Sequence, residues 1–390
     1  MVTYPEDWKE FRFKDTGIEV SKGQVITRAD VRIGEIPVVA GGMEPAYYCD
    51  KYNRDGFTVT ISASGANAGY VNLYKGKIFA SDCSTISEAP NYDVRYIYYL
   101  LLNKQNEIYD AQTGGAQPHI HPKDIYKLPI VYTSNISEQQ AIASALSDFD
   151  EHIDNLSDLI EKKKAIRDGA LEDLVSGRTR LDGFNGEWVE MTLEDICVPN
   201  GLVRGPFGGS LKKEMFVSKG NKVYEQRNAI YKSVRIGDYY ISNEKYDELS
   251  RFAVKADDFI VSCSGTIGKI FKIPKQYKRG VINQALLKIS IDQTKCNLNY
   301  FYKYFEWDKF QDSIIDNTQG GAMKNLVGMD VFRKTVILMP RDIAEQKAIA
   351  QIISAMDEEI ESLKIEKDKM IQIKEGAMDD LLTGRVRLKV

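Results

Sequence analysis

Residues 136–181 read ISEQQAIASALSDFDEHIDNLSDLIEKKKAIRDGALEDLVSGRTRL, and residues 343–388 read IAEQKAIAQIISAMDEEIESLKIEKDKMIQIKEGAMDDLLTGRVRL. The second stretch follows the first at an offset of 207 and stays aligned over 46 positions without a gap. Glu138 meets Glu345, Asp150 meets Asp357, Gly169 meets Gly376 and Gly177 meets Gly384. Chance does not hold two sequences together for that long, so the chain is a duplicated unit.

Each copy carries apolar residues at alternating steps of four and three. They are Ile142, Leu146, Phe149, Ile153 and Leu156 in the first, and Ile349, Ile353, Met356, Ile360 and Leu363 in the second. That spacing is a coiled-coil seam, so each copy reads as one long helix. Two equal seams in one chain are expected to pair with each other; the alternative is a helix that packs only on its own domain. The seam turns polar at Lys163, Arg167, Lys367 and Lys374, where either a shift of the stripe or a register-setting break is expected. Gly177 and Gly384, each followed by basic residues, are the expected C-caps.

The segments ahead of the helices differ in kind. They are rich in Tyr, Val, Ile and Gly, in short runs broken by turn signals. FTVTISASG and DFIVSCSG read as buried strands ending in small-residue turns, and KGKIFASD and RGVINQALLKISI as further strands. Helices are expected over Val94–Asn103 and residues 298–310. The divisions expected are a mixed α+β domain over 1–136, a helix over 137–181, a second α+β domain over 182–340 and a second helix over 341–390. The two domains are weakly similar. Trp8 parallels Trp188, Ser62-Ala-Ser-Gly parallels Ser262-Cys-Ser-Gly, Gly69 parallels Gly268, and Thr113-Gly-Gly-Ala parallels Gln319-Gly-Gly-Ala. Near-identical helices carrying diverged domains describe a constant frame with two different readers.

At 390 residues, 43% hydrophobic and 28% charged, the chain has material for more than one core, and a wholly disordered chain is excluded. No apolar run is long enough for a membrane helix, and the first residues lack an apolar signal core, so a cytoplasmic protein is expected. The five cysteines are scattered singly and read as buried free thiols. Net charge is −4, but its distribution is uneven: −2 over 1–136, −4 over 137–181, +4 over 182–340 and −2 over 341–390. No phosphate-binding P-loop, no G-x-G-x-x-G after a strand, and no aromatic-flanked Asp/Asn-Pro-Pro motif is present. His119 and His121 share a strand face without a third ligand, so no metal site is expected. No catalytic residue is assigned.

Contact with DNA needs groups that hold phosphates and side chains that reach base edges. Glycine turns suit the first task, because their exposed N–H groups approach a phosphate closely. In the first domain the candidates are Ser64 and Asn67, Thr113 and Gln117, and the polar loop Lys51, Asn53 and Arg54. In the second they are Arg204, Ser210, Lys212 and Lys213 in RGPFGGSLKK, then Thr266 and Lys269, and Lys324 and Asn325. Each loop is alternatively an ordinary turn. Arg227, with Asn228 beside it, either pairs with guanine and adenine edges or is a solvated surface residue.

With these residues in view, the chain resembles the DNA-specificity subunits of type I restriction–modification enzymes. The resemblance rests on EQQAIASAL and EQKAIAQII, on LVSGRTRL and LLTGRVRL, and on SASGANAGYV, TGGAQPHI, GPFGGSL, SGTIGK and GVINQALL. It covers essentially the whole chain. It implies two target-recognition domains, each reading one half of a bipartite, asymmetric site in double-stranded DNA. It also implies helices that pair antiparallel and dock two methyltransferase subunits, which two restriction subunits join. S-adenosylmethionine, ATP and Mg would then belong to those partners and no cofactor to this chain. A separately encoded specificity subunit of a type II enzyme stays open beside it, as does a coiled-coil structural adaptor.

Overall fold

The computed structural model describes residues 8–30, 32–316 and 325–389. They fall into two compact units, Met1–Leu159 with Leu363–Val390, and Ile160–Ser362. The units repeat one topology. In the first, a four-stranded antiparallel sheet runs in the order Ser21–Lys22, Cys83–Ser87, Phe57–Ser62, Val71–Lys75. In the second, the order is Cys197–Arg204, Leu286–Ile291, Phe259–Ser262, Ile270–Lys272. Each unit adds a three-stranded sheet with one antiparallel and one parallel pairing: Tyr47–Cys49, Ile36–Val39 and Phe79–Ala80, then Tyr240–Ile241, Asn221–Tyr224 and Gly280–Ile282.

The central strands Phe57–Ser62 and Phe259–Ser262 are buried almost throughout, as their unbroken apolar and small residues require. The helix that packs on each sheet starts where its sequence places a cap. Asp93 accepts from the N–H groups of Arg95 and Tyr96 and starts Val94–Asn103. Asn297 accepts from those of Asn299 and Tyr300 and starts Leu298–Glu306. The single helix expected over 298–310 is two, because Trp307 is extended (φ −69°, ψ 129°) and a second helix, Asp308–Ile314, starts after it.

The long helices run Ile136–Val175 and Ile343–Leu381. Their C-caps are Gly177 and Gly384, both left-handed at φ 72° and 68°. Each cap also abuts an indole closely, leaving little room for a side chain. A Cβ on Gly177 would sit 3.1 Å from the Trp188 ring, and one on Gly384 2.8 Å from the Trp8 ring. The helices pair antiparallel within each unit. In the second, Lys163 meets Glu359 at 2.7 Å and Arg167 meets Asp357 at 3.3 Å. In the first, Lys374 pairs with Asp150. At the polar seam positions Lys163, Arg167 and Lys374 form cross-helix ion pairs, and past Arg167 and Lys374 the inward positions run on at steps of four to Leu171 and Met378, a shift of the stripe. Helix pairing and domain packing also coexist. Ile142, Leu146 and Phe149 share an apolar cluster with the first domain's core and with Met378 and Leu381. Ile349, Ile353 and Met356 do the same with the second core and Leu171 and Leu174. Between these ends, Leu156, Ile160 and Ile360 are buried, while Ile153 and Leu363 are half-buried.

The repeated EQ motif fastens domain to helix. Glu138 and Glu345 have no exposed surface. Arg387 holds Glu138 through two bonds of 2.8 and 3.0 Å, and Arg180 holds Glu345 at 2.7 and 2.8 Å. Two bonds to each carboxylate oxygen pair suit the planar fork of an arginine. Gln139 accepts from the Asp93 N–H (2.8 Å) and donates to the Thr133 carbonyl (2.7 Å). Gln346 does the same with Asn297 and Pro340 (2.7 and 2.8 Å). Among the described residues no helix is long and apolar enough to cross a membrane.

Candidate nucleic-acid interface

In each unit the glycine turns gather at one end of the sheets. In the first, Ile120 donates its N–H to Ala63 (2.9 Å), Gly65 to Pro118 (3.0 Å) and Ala63 to Asp82 (3.1 Å). The Gln112 side chain bonds the Ala68 carbonyl at 2.7 Å. The turn at 64–69 and the turn at 113–117 are thus one surface. Ser64 donates its hydroxyl to Asp82. Thr113 is locked at the base of its turn by mutual backbone bonds with His119 of 3.0 and 2.8 Å, while Gln117 stands exposed. Asn67 is half-buried. The rings of His119 and His121 stack 6.2 Å apart, and no metal-holding cluster occurs among the described residues.

The polar loop after Cys49 is engaged internally. The Asn53 amide makes a two-way bond with the Ala80 backbone, 2.9 and 2.7 Å, and sets the end of the strand Phe79–Ala80. Arg54 donates to Thr85 Oγ1 (3.0 Å), to the Asn53 carbonyl (2.8 Å) and to the Lys22 carbonyl (3.4 Å), and so ties the sheet edge together. Lys51 is exposed, and its carbonyl accepts from the Cys49 thiol at 3.1 Å.

The second unit builds the same end from different residues. Gly268 donates to the Ser262 carbonyl (2.9 Å), as Gly69 does to Ser62 (2.7 Å), and both glycines are left-handed. The parallel drawn between SASG and SCSG is therefore structural. Thr266 and Lys269 are exposed on this turn. Beside it, Gly205 donates to Leu286 (2.9 Å), and Asn283 to Tyr224 (2.9 Å). This brings the RGPFGGSLKK loop and the short helix Gln226–Ile230 to the same rim. Lys212 and Lys213 are exposed, while Arg204 and Ser210 are half-buried. Arg227 is exposed and pairs with Glu225 at 3.1 Å. Asn228 is neither a base reader nor a solvated residue. It is fully buried, accepts from the Glu225 N–H (2.8 Å) and donates to the Ser233 and Ile236 carbonyls (2.8 Å each). Lys324 lies outside the described residues, as does the stretch Gln319-Gly-Gly-Ala; the Asn325 backbone pairs with Asp316.

Burial pushes the thiol of Cys83 up to about 12 and that of Cys263 up to about 11, which disfavours their thiolates beneath the loops. One residue of the rim carried no sequence signal. Lys222 is buried, donates to the Gly237 carbonyl at 2.7 Å and lies over the rings of Tyr224 and Tyr240. Desolvation, then the nearby Lys278, holds its pKa below the usual lysine value. Its side chain is not presented to solvent.

Comparison with known proteins gives one family. A model described as the type I restriction modification DNA specificity domain matches residues 5–164 and again 185–373. A putative type I specificity subunit of Mycoplasma genitalium is 29% identical over 260 residues, covering 61% of this chain and 66% of that protein. A type I restriction enzyme specificity subunit of Methanocaldococcus jannaschii is 23% identical across 100% of this chain and 99% of its own. Among solved structures, the S subunit of a type I restriction–modification system from M. genitalium matches at a TM-score of 0.63 and 20% identity, over 98% of both chains. A chain described under complex assembly and conformational transition of the type I system gives 0.62 at 10% identity, over 99% of this chain and 100% of its own. At those identities the likeness is one of fold.

Proposed function

The chain belongs to the type I restriction–modification DNA specificity family, and from that premise we propose that it selects the DNA site on which partner subunits act. Each domain reads one half of a bipartite, asymmetric target in double-stranded DNA. Two methyltransferase subunits, carrying S-adenosylmethionine, modify adenine there, and two ATP- and Mg-dependent restriction subunits join them for cleavage, in the cytoplasm. This chain contributes recognition and no chemistry of its own. The observation that carries the reading is the paired design: two domains with the same loops at the same strand ends, different residues in those loops, and near-identical helices beneath them. Exposed backbone N–H groups and the cations Lys212, Lys213, Arg227 and Lys269 supply phosphate contact. The overall charge of −4 opposes tight binding by the chain alone, so selectivity is expected only with the methyltransferase present. The test is sequencing of methylated adenines in host DNA with and without the gene. A two-part motif that vanishes on deletion supports the proposal; an unchanged methylation pattern overturns it.

A further inference from the structure

Two strongly exposed apolar side chains stand on rim loops at the same topological position, one in each domain; Ile33, 99% exposed, lies on a different stretch of the first domain. Val25 is 93% exposed and Phe207 83%. The strand registers make them equivalents. Lys22 lies opposite Ser84 and Arg204 opposite Leu287. Those partner strands are themselves matched, because Ser62 faces Cys83 as Ser262 faces Leu286. The next residue is then Gly23 in one domain and Gly205 in the other, bonded to Cys83 and Leu286 at 2.8 and 2.9 Å. Neither glycine can be replaced without movement. A Cβ would lie 2.0 Å from the Ser81 carbonyl oxygen at Gly23, and 1.8 Å from that of Asn283 at Gly205.

Two residues beyond each glycine stands the exposed apolar group, and the loop is anchored again just past it. Ile26 packs against the cluster of Val38, Cys49 and Phe79, and Leu211 is buried with Val223 and Ile241. Basic residues flank both loops: Lys22 and Arg28, then Arg204, Lys212 and Lys213. A loop pinned at both ends that leaves an apolar side chain in water between cations fits a duplex. The cations meet phosphates, and the apolar group meets base edges, where thymine methyls and base faces are the apolar surface available.

We propose that Val25 and Phe207 are equivalent specificity residues, each pressed against the bases of its own half-site. The proposal rests on the function given above. Its test uses the full chain assembled with its methyltransferase and the duplex found by methylome sequencing. Duplexes with one or the other half-site scrambled serve as controls. Phe207→Ala is expected to lose roughly tenfold in affinity on the intact site. It should lose little on the duplex whose second-domain half-site is scrambled, and Phe207→Leu should keep most of the binding. Val25→Ala should give a smaller loss of the same form for the other half-site. Phe207→Lys should weaken specific binding, whereas a loop facing phosphates would bind every duplex more tightly with the added cation. Because both side chains are in solvent, the variants should melt with the wild type. Tighter binding by Phe207→Lys, an equal loss on all duplexes, no loss for Phe207→Ala, or dissociation of the methyltransferase from the variants overturns the inference alone. Unselective binding by the wild-type complex overturns the functional reading and this inference with it.

Discussion

Glu138 has no exposed surface, and the arginine that satisfies it lies 249 residues away in the sequence. A buried carboxylate is tolerable only while it is paired, so removing the arginine is worse than the pair's net value implies. Arg387→Ala should therefore cost roughly 2–4 kcal/mol, somewhat below a fully buried pair because the arginine side chain is 41% exposed. Arg180→Ala should act alike through Glu345, and urea unfolding followed by circular dichroism measures both. Surface cations behave differently. Lys212→Ala and Lys213→Ala should leave stability unchanged within about 0.5 kcal/mol. In the assembled complex each should weaken binding to all sequences and flatten the plot of log affinity against log salt by about one unit. A slope identical to the wild type would show that neither lysine meets a phosphate. The half-buried Arg204 is the better base reader of this loop, and its replacement should relax one position of the site at a cost of roughly 1–3 kcal/mol.

At the scale of elements, the long helices are held at their ends by domain cores and along their middle by a seam in which charge replaces some apolar contacts. Arg167 with Asp357 and Lys374 with Asp150 are the same pair seen twice under the offset of 207. The pair of Lys163 with Glu359 has no counterpart, because Met370 and His152 stand at the matching positions. A seven-residue insertion after Leu156, matched by one after Leu363, preserves the 4-3 spacing and the pairing of both ends. It lengthens each helix by about 10 Å. The methylated motif should then keep both halves and gain one to three undefined base pairs between them, at about 3.4 Å per step. An active enzyme with an unchanged spacer in its methylome would separate helix length from target spacing.

For the whole molecule, the first compact unit is assembled from both ends of the chain and the second from its middle. Each unit contains a domain, the start of the helix that follows it and the tail of the other helix, locked by one glutamate–arginine clamp. A foreign first domain spanning residues 1–135 should therefore seat correctly only if it keeps the tryptophan that meets Gly384 and a helix cap whose N–H donates to Gln139. With these kept, the swap should change one half of the methylated motif and leave the other intact. A folded swap that alters both halves would refute independent reading by the two domains.

The sequence by itself determined the duplication, the long helices with their glycine caps, the α+β character of the domains and the absence of known catalytic motifs. Those properties reside in local periodicity, or in repetition that a single offset exposes. It also marked where turns form, because glycine at φ of 85° or 64° in Gly65 and Gly265 is a backbone requirement visible residue by residue. What polar residues in those turns do was decided only by the fold. Asn53, Arg54 and Asn228 have the composition of a DNA contact, yet their partners lie within the protein: the Ala80 backbone for Asn53, Thr85 and the Asn53 and Lys22 carbonyls for Arg54, and the backbone of residues 225, 233 and 236 for Asn228. The equivalence of Val25 and Phe207 was likewise invisible, since KGQV and RGPF share only the glycine. It emerges from strand register, a pairing between segments more than sixty residues apart, which hydrogen bonding establishes and local sequence does not encode.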